Sequence, residues 1–208
     1  MVAVYRTGFI AAIFALLGIA GYGIVQIMQV LRLLVFPLDE WLIYGFSLWI
    51  ALPFLFMVVA LRRTLTSHGK LWSEMAVSLA TIYLMFALTV YGVQLTVVLP
   101  AGKTISQYDW LRITPHSFFW TLDALAYLSM GLTTLFLVPA LRQIKKSKWA
   151  RFMLLAHGLM TIVVMVVYFY PHFSTAILLI ASPWLITGCG VCVTLAAYFK
   201  EAGRTHNY

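Results

Sequence analysis

Charged residues are scarce in this sequence. Asp, Glu, Lys and Arg make up only 10% of its 208 residues, whereas a soluble domain contains about 25%. Hydrophobic residues make up 63%, so the chain has too little polar surface to cover a soluble fold. The composition therefore excludes an ordinary soluble domain and predicts a protein whose surface mostly faces lipid.

The motifs of several enzyme classes are also missing. No lysine lies in the interior of a long apolar stretch, so a retinal Schiff base is unsupported. The sequence has no H-E-x-x-H, no G-x-S-x-G, no phosphate-binding loop and no paired Asp-rich motif of prenyl-diphosphate enzymes. We therefore expect neither a metal nor a cofactor.

Cysteine is nearly absent, and both copies, Cys189 and Cys192, lie in one apolar stretch. A secreted disulfide framework is therefore excluded. The C-x-x-C spacing also occurs in redox pairs and soft-metal sites. However, the surrounding run TGCGVC is rich in the small residues found at helix contacts. Helix packing is the favoured interpretation, and a redox or metal role is the alternative.

Long apolar stretches are the main positive feature of the chain. Six are long enough to cross about 30 Å of hydrocarbon as helices, and they lack the alternating pattern of barrel strands. The first is longer than a signal-peptide core, so we expect it to be retained. The predicted fold is all-α, a single six-transmembrane-helix domain over residues 1–208. Its spans are about residues 7–30, 40–61, 72–99, 116–141, 150–170 and 174–199.

The net charge of +8 does not indicate a nucleic-acid partner, because the basic residues lie in the connections between apolar stretches. With alternating helices, eleven Lys and Arg residues fall on one side and only Arg32, Lys103 and Arg112 on the other. Positive residues mark the cytoplasmic side of membrane proteins. We predict a multi-pass protein of the cell membrane with both termini in the cytoplasm, a membrane-lipid environment and possible homodimers.

One acid, Asp123, lies inside the fourth apolar stretch, on the same helical face as His116, Trp120 and Tyr127. A carboxylate at such depth is costly and normally faces a cavity or a partner. Other polar and aromatic side chains, from several helices, are predicted to lie in the same outer half of the membrane. They are Gln26, Gln29, Glu40, Tyr44, Tyr91, Gln94, Trp120, Tyr127 and Tyr168.

These side chains need hydrogen-bond partners when they are removed from water. A shared, outward-facing pocket would satisfy them. The alternative is that they satisfy one another in a closed network or lie at the lipid headgroup level, where Tyr and Trp are common. A second, inner pair is formed by Glu74 and His157, which could meet as an acid–histidine pair.

Three functions fit this pattern. The first is a binding protein for a small amphipathic or lipid-like molecule, held in the pocket around Asp123. The second is an intramembrane isomerase or cyclase for a terpenoid or sterol-like substrate. In that enzyme Asp123 donates the proton, Glu40 is a second acid, and aromatic faces stabilise a carbocation. The third is a proton- or ion-coupled transporter that uses Asp123 and the Glu74–His157 pair.

Overall fold

Six long helices form the protein, as the sequence predicts. The computed structural model describes residues 2–65, 67–102, 106–142, 144 and 147–205. The helices are α1 (Val2–Val30), α2 (Leu38–Thr64), α3 (Ser67–Val93), α4 (Phe118–Ala140), α5 (Lys148–Phe169) and α6 (Pro183–Thr205). No strand occurs in these described ranges. Lys103, Lys145 and Lys146, which contribute to the predicted charge asymmetry, lie outside them.

Four shorter elements complete the connections. A π-helical turn, Gln94–Val98, and a last turn, Leu99–Ala101, extend α3. Pro100 has no backbone N–H to donate, so a regular α-helix would lose a hydrogen bond here. A 3₁₀ helix, Ser106–Leu111, lies between α3 and α4. A short helix, Thr175–Ile180, precedes α6.

The sixth predicted span, residues 174–199, overlaps the candidate membrane span Ala176–Arg204. It contains two helices that are separated by a turn at Ala181 and Ser182. Pro183 is the first residue of α6, where a missing N–H costs nothing. Pro53, in contrast, lies inside α2.

Each long helix runs antiparallel to the next. Between α1 and α2, the Trp49 indole donates to the Phe14 carbonyl at 3.1 Å. Further along the same pair, a Cβ on Gly21 would lie 2.4 Å from the Phe46 ring. Residues later in α1 therefore lie beside residues earlier in α2, which means that the two helices are antiparallel. The remaining sequential pairs also pack against each other.

The ring closes because α6 packs against α1. A Cβ on Gly8 would lie 2.5 Å from the Phe199 ring, and one on Gly23 would lie 3.2 Å from Leu185. Small residues on α1 therefore let the two helices approach closely. The fold is an up-and-down ring of six helices that surrounds a shared interior.

The two ends of the ring differ. The terminal end carries the α2–α3 and α4–α5 connections, the start of α1 and the end of α6. Large apolar side chains, including Phe54, Leu137 and Phe199, fill its interior. The opposite end carries the other three connections, and we call it the cavity end because it surrounds the cavity described below. Most described basic residues lie at the terminal end: Arg6, Arg62, Arg63, Lys70, Arg142, Lys148, Arg151, Lys200 and Arg204.

The outward faces of the ring are apolar. Met85, Ile162 and Ile186 have 60%, 63% and 74% of their side chains exposed, and other large apolar residues surround them. Soluble monomers seldom expose apolar patches of this extent. Six helical stretches, the last of which combines most of the short helix with α6, are long and apolar enough to cross a membrane, which suggests a multi-pass membrane protein.

Candidate functional site

A cavity of about 240 Å³ lies inside the ring at its cavity end. All six long helices contribute to its wall. It reaches the surface beside the short helix, where the half-exposed Leu179 and the partly exposed Phe173 line it. At roughly 30 Å³ per water molecule, the space corresponds to about eight waters. It can therefore hold a small organic group.

Asp123 lies on the wall of this cavity, in the second turn of α4. Only 6% of the residue is exposed. The Tyr91 hydroxyl, from α3, donates to Asp123 Oδ1 at 2.6 Å. The Tyr168 hydroxyl, from α5, donates to Asp123 Oδ2. Both carboxylate oxygens are therefore hydrogen-bonded, each by a neighbouring helix.

The N-terminus of α4 determines the direction in which the Asp123 side chain points. Ser117 caps the helix, because its Oγ accepts from the Trp120 backbone N–H at 3.1 Å, and a serine is a favoured N-cap residue. Helical geometry then places Trp120, Asp123 and Tyr127 on one face, and all three line the cavity. His116 lies before the helix with a φ of 67°, so it does not belong to that face.

Aromatic rings form most of the remaining wall. Trp120 and Tyr168 lie with ring centroids 4.6 Å apart, and Tyr127 lies 5.2 Å from Trp184. On the opposite side Tyr44 stacks on Tyr91 at 6.1 Å. Every long helix contributes at least one ring. We call this set the aromatic wall: Tyr22, Tyr44, Tyr91, Trp120, Tyr127, Tyr168 and Trp184.

A chain of hydrogen bonds runs along α1 to the start of α2. The Tyr22 hydroxyl donates to Gln26 Oε1 at 2.9 Å, and Gln26 Nε2 donates to Gln29 Oε1 at 3.0 Å. Gln29 Nε2 then donates to Asp39 Oδ2 at 2.8 Å. The other carboxylate oxygen, Asp39 Oδ1, is buried without a hydrogen-bond partner. Every donor in this chain therefore points toward Asp39.

Sequence reasoning missed Asp39 and selected its neighbour Glu40. Glu40, predicted as a second acid of the site, does not line the cavity. Asp39 is 8% exposed and holds Gln29. Asp39, Ile43 and Ser47 are spaced four residues apart, so a face drawn through Ser47 could have included it.

Most of the predicted site residues do meet at the cavity. Those that line it are Gln26, Tyr44, Tyr91, Trp120, Asp123, Tyr127 and Tyr168. Gln94 does not line it. It is 1% exposed, and its Nε2 donates to the Leu111 carbonyl at 2.7 Å. Gln94 therefore holds the α3–α4 connection in place.

The predicted inner pair does not form. Glu74 binds Arg62 at 2.7 Å, at the surface of the terminal end. His157 is buried, and its Nδ1 lies 3.0 Å from Thr187 Oγ1. The pair is separated because α4 packs between α3, which carries Glu74, and α5, which carries His157.

The two cysteines are free thiols on α6. Within the described part of the chain, no three His, Cys, Asp or Glu side chains lie close enough to hold a metal ion together. What the site offers instead is a carboxylate, several tyrosine oxygens and two amides in an otherwise apolar space. Such a wall can orient one polar group while its rings contact an apolar one.

Comparisons of this chain with protein-family models, with curated protein sequences and with solved structures find no match. The geometry of the cavity is therefore the basis on which a function can be argued.

Proposed function

We propose that this chain is a multi-pass protein of the cell membrane that binds a small amphipathic or lipid-like molecule in the cavity around Asp123. One observation carries the proposal. Helices from the whole ring place aromatic side chains around a space that also contains a single, hydrogen-bonded carboxylate. A polypeptide that needed only a stable core could fill this space with apolar side chains, as it does at the terminal end.

The opening supports an amphipathic ligand. The cavity meets the surface where Leu179 and Phe173 are exposed, while Asp123 and Gln26 lie further inside the ring. A molecule entering from lipid would therefore keep apolar contacts at the mouth and bring its polar end to the interior groups. In the proposed orientation, with the basic terminal end in the cytoplasm, the mouth faces the outer leaflet.

Binding is favoured over the two alternatives for specific reasons. An acid catalyst must present a proton to its substrate, but both oxygens of Asp123 already accept hydrogen bonds from Tyr91 and Tyr168. The transporter hypothesis used Glu74 and His157 as an inner station. Glu74 instead pairs with Arg62, which leaves that hypothesis without its second site.

A cavity-filling substitution tests the proposal. Val167 is 4% exposed and lines the cavity, whereas the adjacent Val166 is 59% exposed and faces outward. We expect wild-type protein and Val166→Phe, purified in a mild detergent, to retain a small molecule detected as a mass adduct by native mass spectrometry. Val167→Phe should lose it, because the added ring occupies the space.

Two results would overturn the proposal. One is wild-type protein that carries no adduct after gentle purification and also none after incubation with a total lipid extract of the membranes from which it was purified. The other is an adduct that Val167→Phe retains as well as Val166→Phe does, because such a molecule would lie outside the cavity.

A further inference from the structure

We infer that the polar end of the ligand is an organic cation, a protonated amine or a quaternary ammonium group, held beside Asp123 by the aromatic wall. This inference rests on the proposed function and specifies the chemistry that the same cavity recognises. Three independent features of the site carry it: its charge, its rings and the directions of its hydrogen bonds.

The charge of the cavity has one sign. Asp123 is the charged side chain on its wall, and no Lys or Arg from the described residues joins it there. The nearby Arg112 is engaged elsewhere, because it binds Asp109 at 3.0 Å and the Gly102 carbonyl. A second acid, Asp39, lies behind Gln29. An anion brought into this space would meet the Asp123 carboxylate, with a second carboxylate behind Gln29, and no described Lys or Arg on the wall to balance it.

The aromatic wall has the same preference. The face of an aromatic ring carries partial negative charge and attracts cations that lie within about 6 Å of the ring centroid. Rings from all six helices surround one space of about 240 Å³, so a group at its centre is within reach of several of them. Quaternary ammonium groups are bound by such aromatic cages.

The tyrosine hydroxyl groups also favour a ligand that donates hydrogen bonds or carries a positive charge. Tyr91 and Tyr168 direct their protons to Asp123, and Tyr22 directs its proton to Gln26. Their oxygens therefore keep lone pairs for a ligand and have no proton left to offer an anion. Since the described acids and histidines form no three-ligand group, the arrangement fits an organic cation better than a metal ion.

A shape-matched pair of probes can test the charge preference. Phenyltrimethylammonium and tert-butylbenzene have the same shape, but only the first is charged, and benzenesulfonate supplies the opposite charge. We expect titration calorimetry on the purified protein in a nonionic detergent to show the cation binding at least about tenfold tighter than its neutral isostere. Benzenesulfonate should be the weakest of the three.

Substitutions assign the preference to this site. Asp123→Asn should reduce the advantage of the cation to about threefold or less, whereas Glu74→Gln, which changes an exposed acid at the terminal end, should leave it unchanged. If Asp123→Asn does not fold, Tyr44 supplies a second test that leaves the Asp123 hydrogen bonds intact. Tyr44→Leu should lower affinity for the cation more than Tyr44→Phe, which keeps the ring.

The inference and the proposed function fail in different ways. Binding of tert-butylbenzene or benzenesulfonate as tight as that of the cation overturns the inference, and so does a cation that does not bind. In each case an adduct that Val167→Phe abolishes still supports ligand binding in the cavity. If wild-type protein and Val167→Phe do not differ in adduct or in the binding of any probe, the inference and the proposed function are both wrong.

Discussion

At the scale of single residues, the two buried carboxylates differ in how many of their oxygens are hydrogen-bonded. Asp123 accepts a hydrogen bond on each oxygen, whereas Asp39 accepts one from Gln29 and leaves Oδ1 without a partner. Hydrogen bonds to a charged group contribute about 1.5–3 kcal/mol each, and an unsatisfied buried group costs a similar amount. The Asp123 network is therefore a structural connection between α3, α4 and α5 as well as part of the cavity wall.

Removing one of the two hydroxyl donors should lower the stability of the protein. We expect Tyr91→Phe to lower the free energy of unfolding by about 1–3 kcal/mol, because Asp123 Oδ1 then lacks its donor in a water-poor interior. In an Asp123→Asn background the same change should cost less, with a coupling energy of at least about 0.5 kcal/mol. Unfolding with sodium dodecyl sulfate in mixed micelles measures both.

Tyr170→Phe is the matched control, since Tyr170 is 47% exposed just after α5. Its effect should stay within about 0.5 kcal/mol. A Tyr91→Phe protein that is no less stable than this control would show that the Asp123 network adds nothing to stability.

The sequence predicts Asp123 well and Gln94 poorly, for physical reasons. A lone acid in an apolar stretch must find partners, so its inward direction follows from composition. The amide of Gln94 has the right depth, but depth along a helix says nothing about which neighbour reaches it first. Here the connection before α4 supplies the Leu111 carbonyl, and neither the π turn nor the 3₁₀ helix has a sequence signal that we recognised.

At the scale of helices, close contacts depend on positions that lack a side chain. Gly131 on α4 faces Thr161 on α5, and a Cβ there would lie 1.7 Å from Thr161 Oγ1. Gly92 on α3 has nothing within 4 Å of the same position. The two glycines therefore serve different purposes, although both lie inside apolar helices.

Alanine substitution should separate them. Gly131→Ala should destabilise the protein by about 1–3 kcal/mol, because the methyl group forces α4 and α5 apart. Gly92→Ala should be neutral or stabilise by up to about 1 kcal/mol, because alanine favours the helix without a clash. Thermal unfolding of the two variants in the same detergent provides the measurement, and equal midpoints would contradict the role assigned to Gly131.

At the scale of the whole molecule, the number of helices could be predicted and their arrangement could not. Six apolar stretches are visible in the sequence, and their predicted outer bounds lie within about six residues of those in the structure, which also has a break at Ala181 and Ser182. Which helices adjoin depends on side-chain fit, such as that of Gly8 with Phe199. Gly8 and Phe199 are far apart in the sequence, so no local pattern predicts that the first helix packs against the last.

The charge difference between the two ends predicts the orientation in the membrane. In a background with Cys189→Ala and Cys192→Ala, a membrane-impermeant maleimide should label Asp109→Cys in intact cells. Lys200→Cys should be labelled only after the membrane is opened, because positively charged ends of membrane proteins are usually retained in the cytoplasm. Both positions are exposed. The opposite labelling pattern would invert the proposed orientation, and labelling of both in intact cells would reject it.

Closure of the ring by α6 has a consequence for how the protein is made. Because α1 and α6 are direct neighbours, the face of α1 that packs on α6 is covered only after the last of the six helices has been synthesised. The Gln26 and Gln29 amides already find partners within α1 and α2, but the close-contact positions Gly8 and Gly23 stay uncovered until Phe199 and Leu185 pack on them. We therefore expect a chain that ends before α6 to keep its α1–α2 hydrogen bonds and to lack a closed ring.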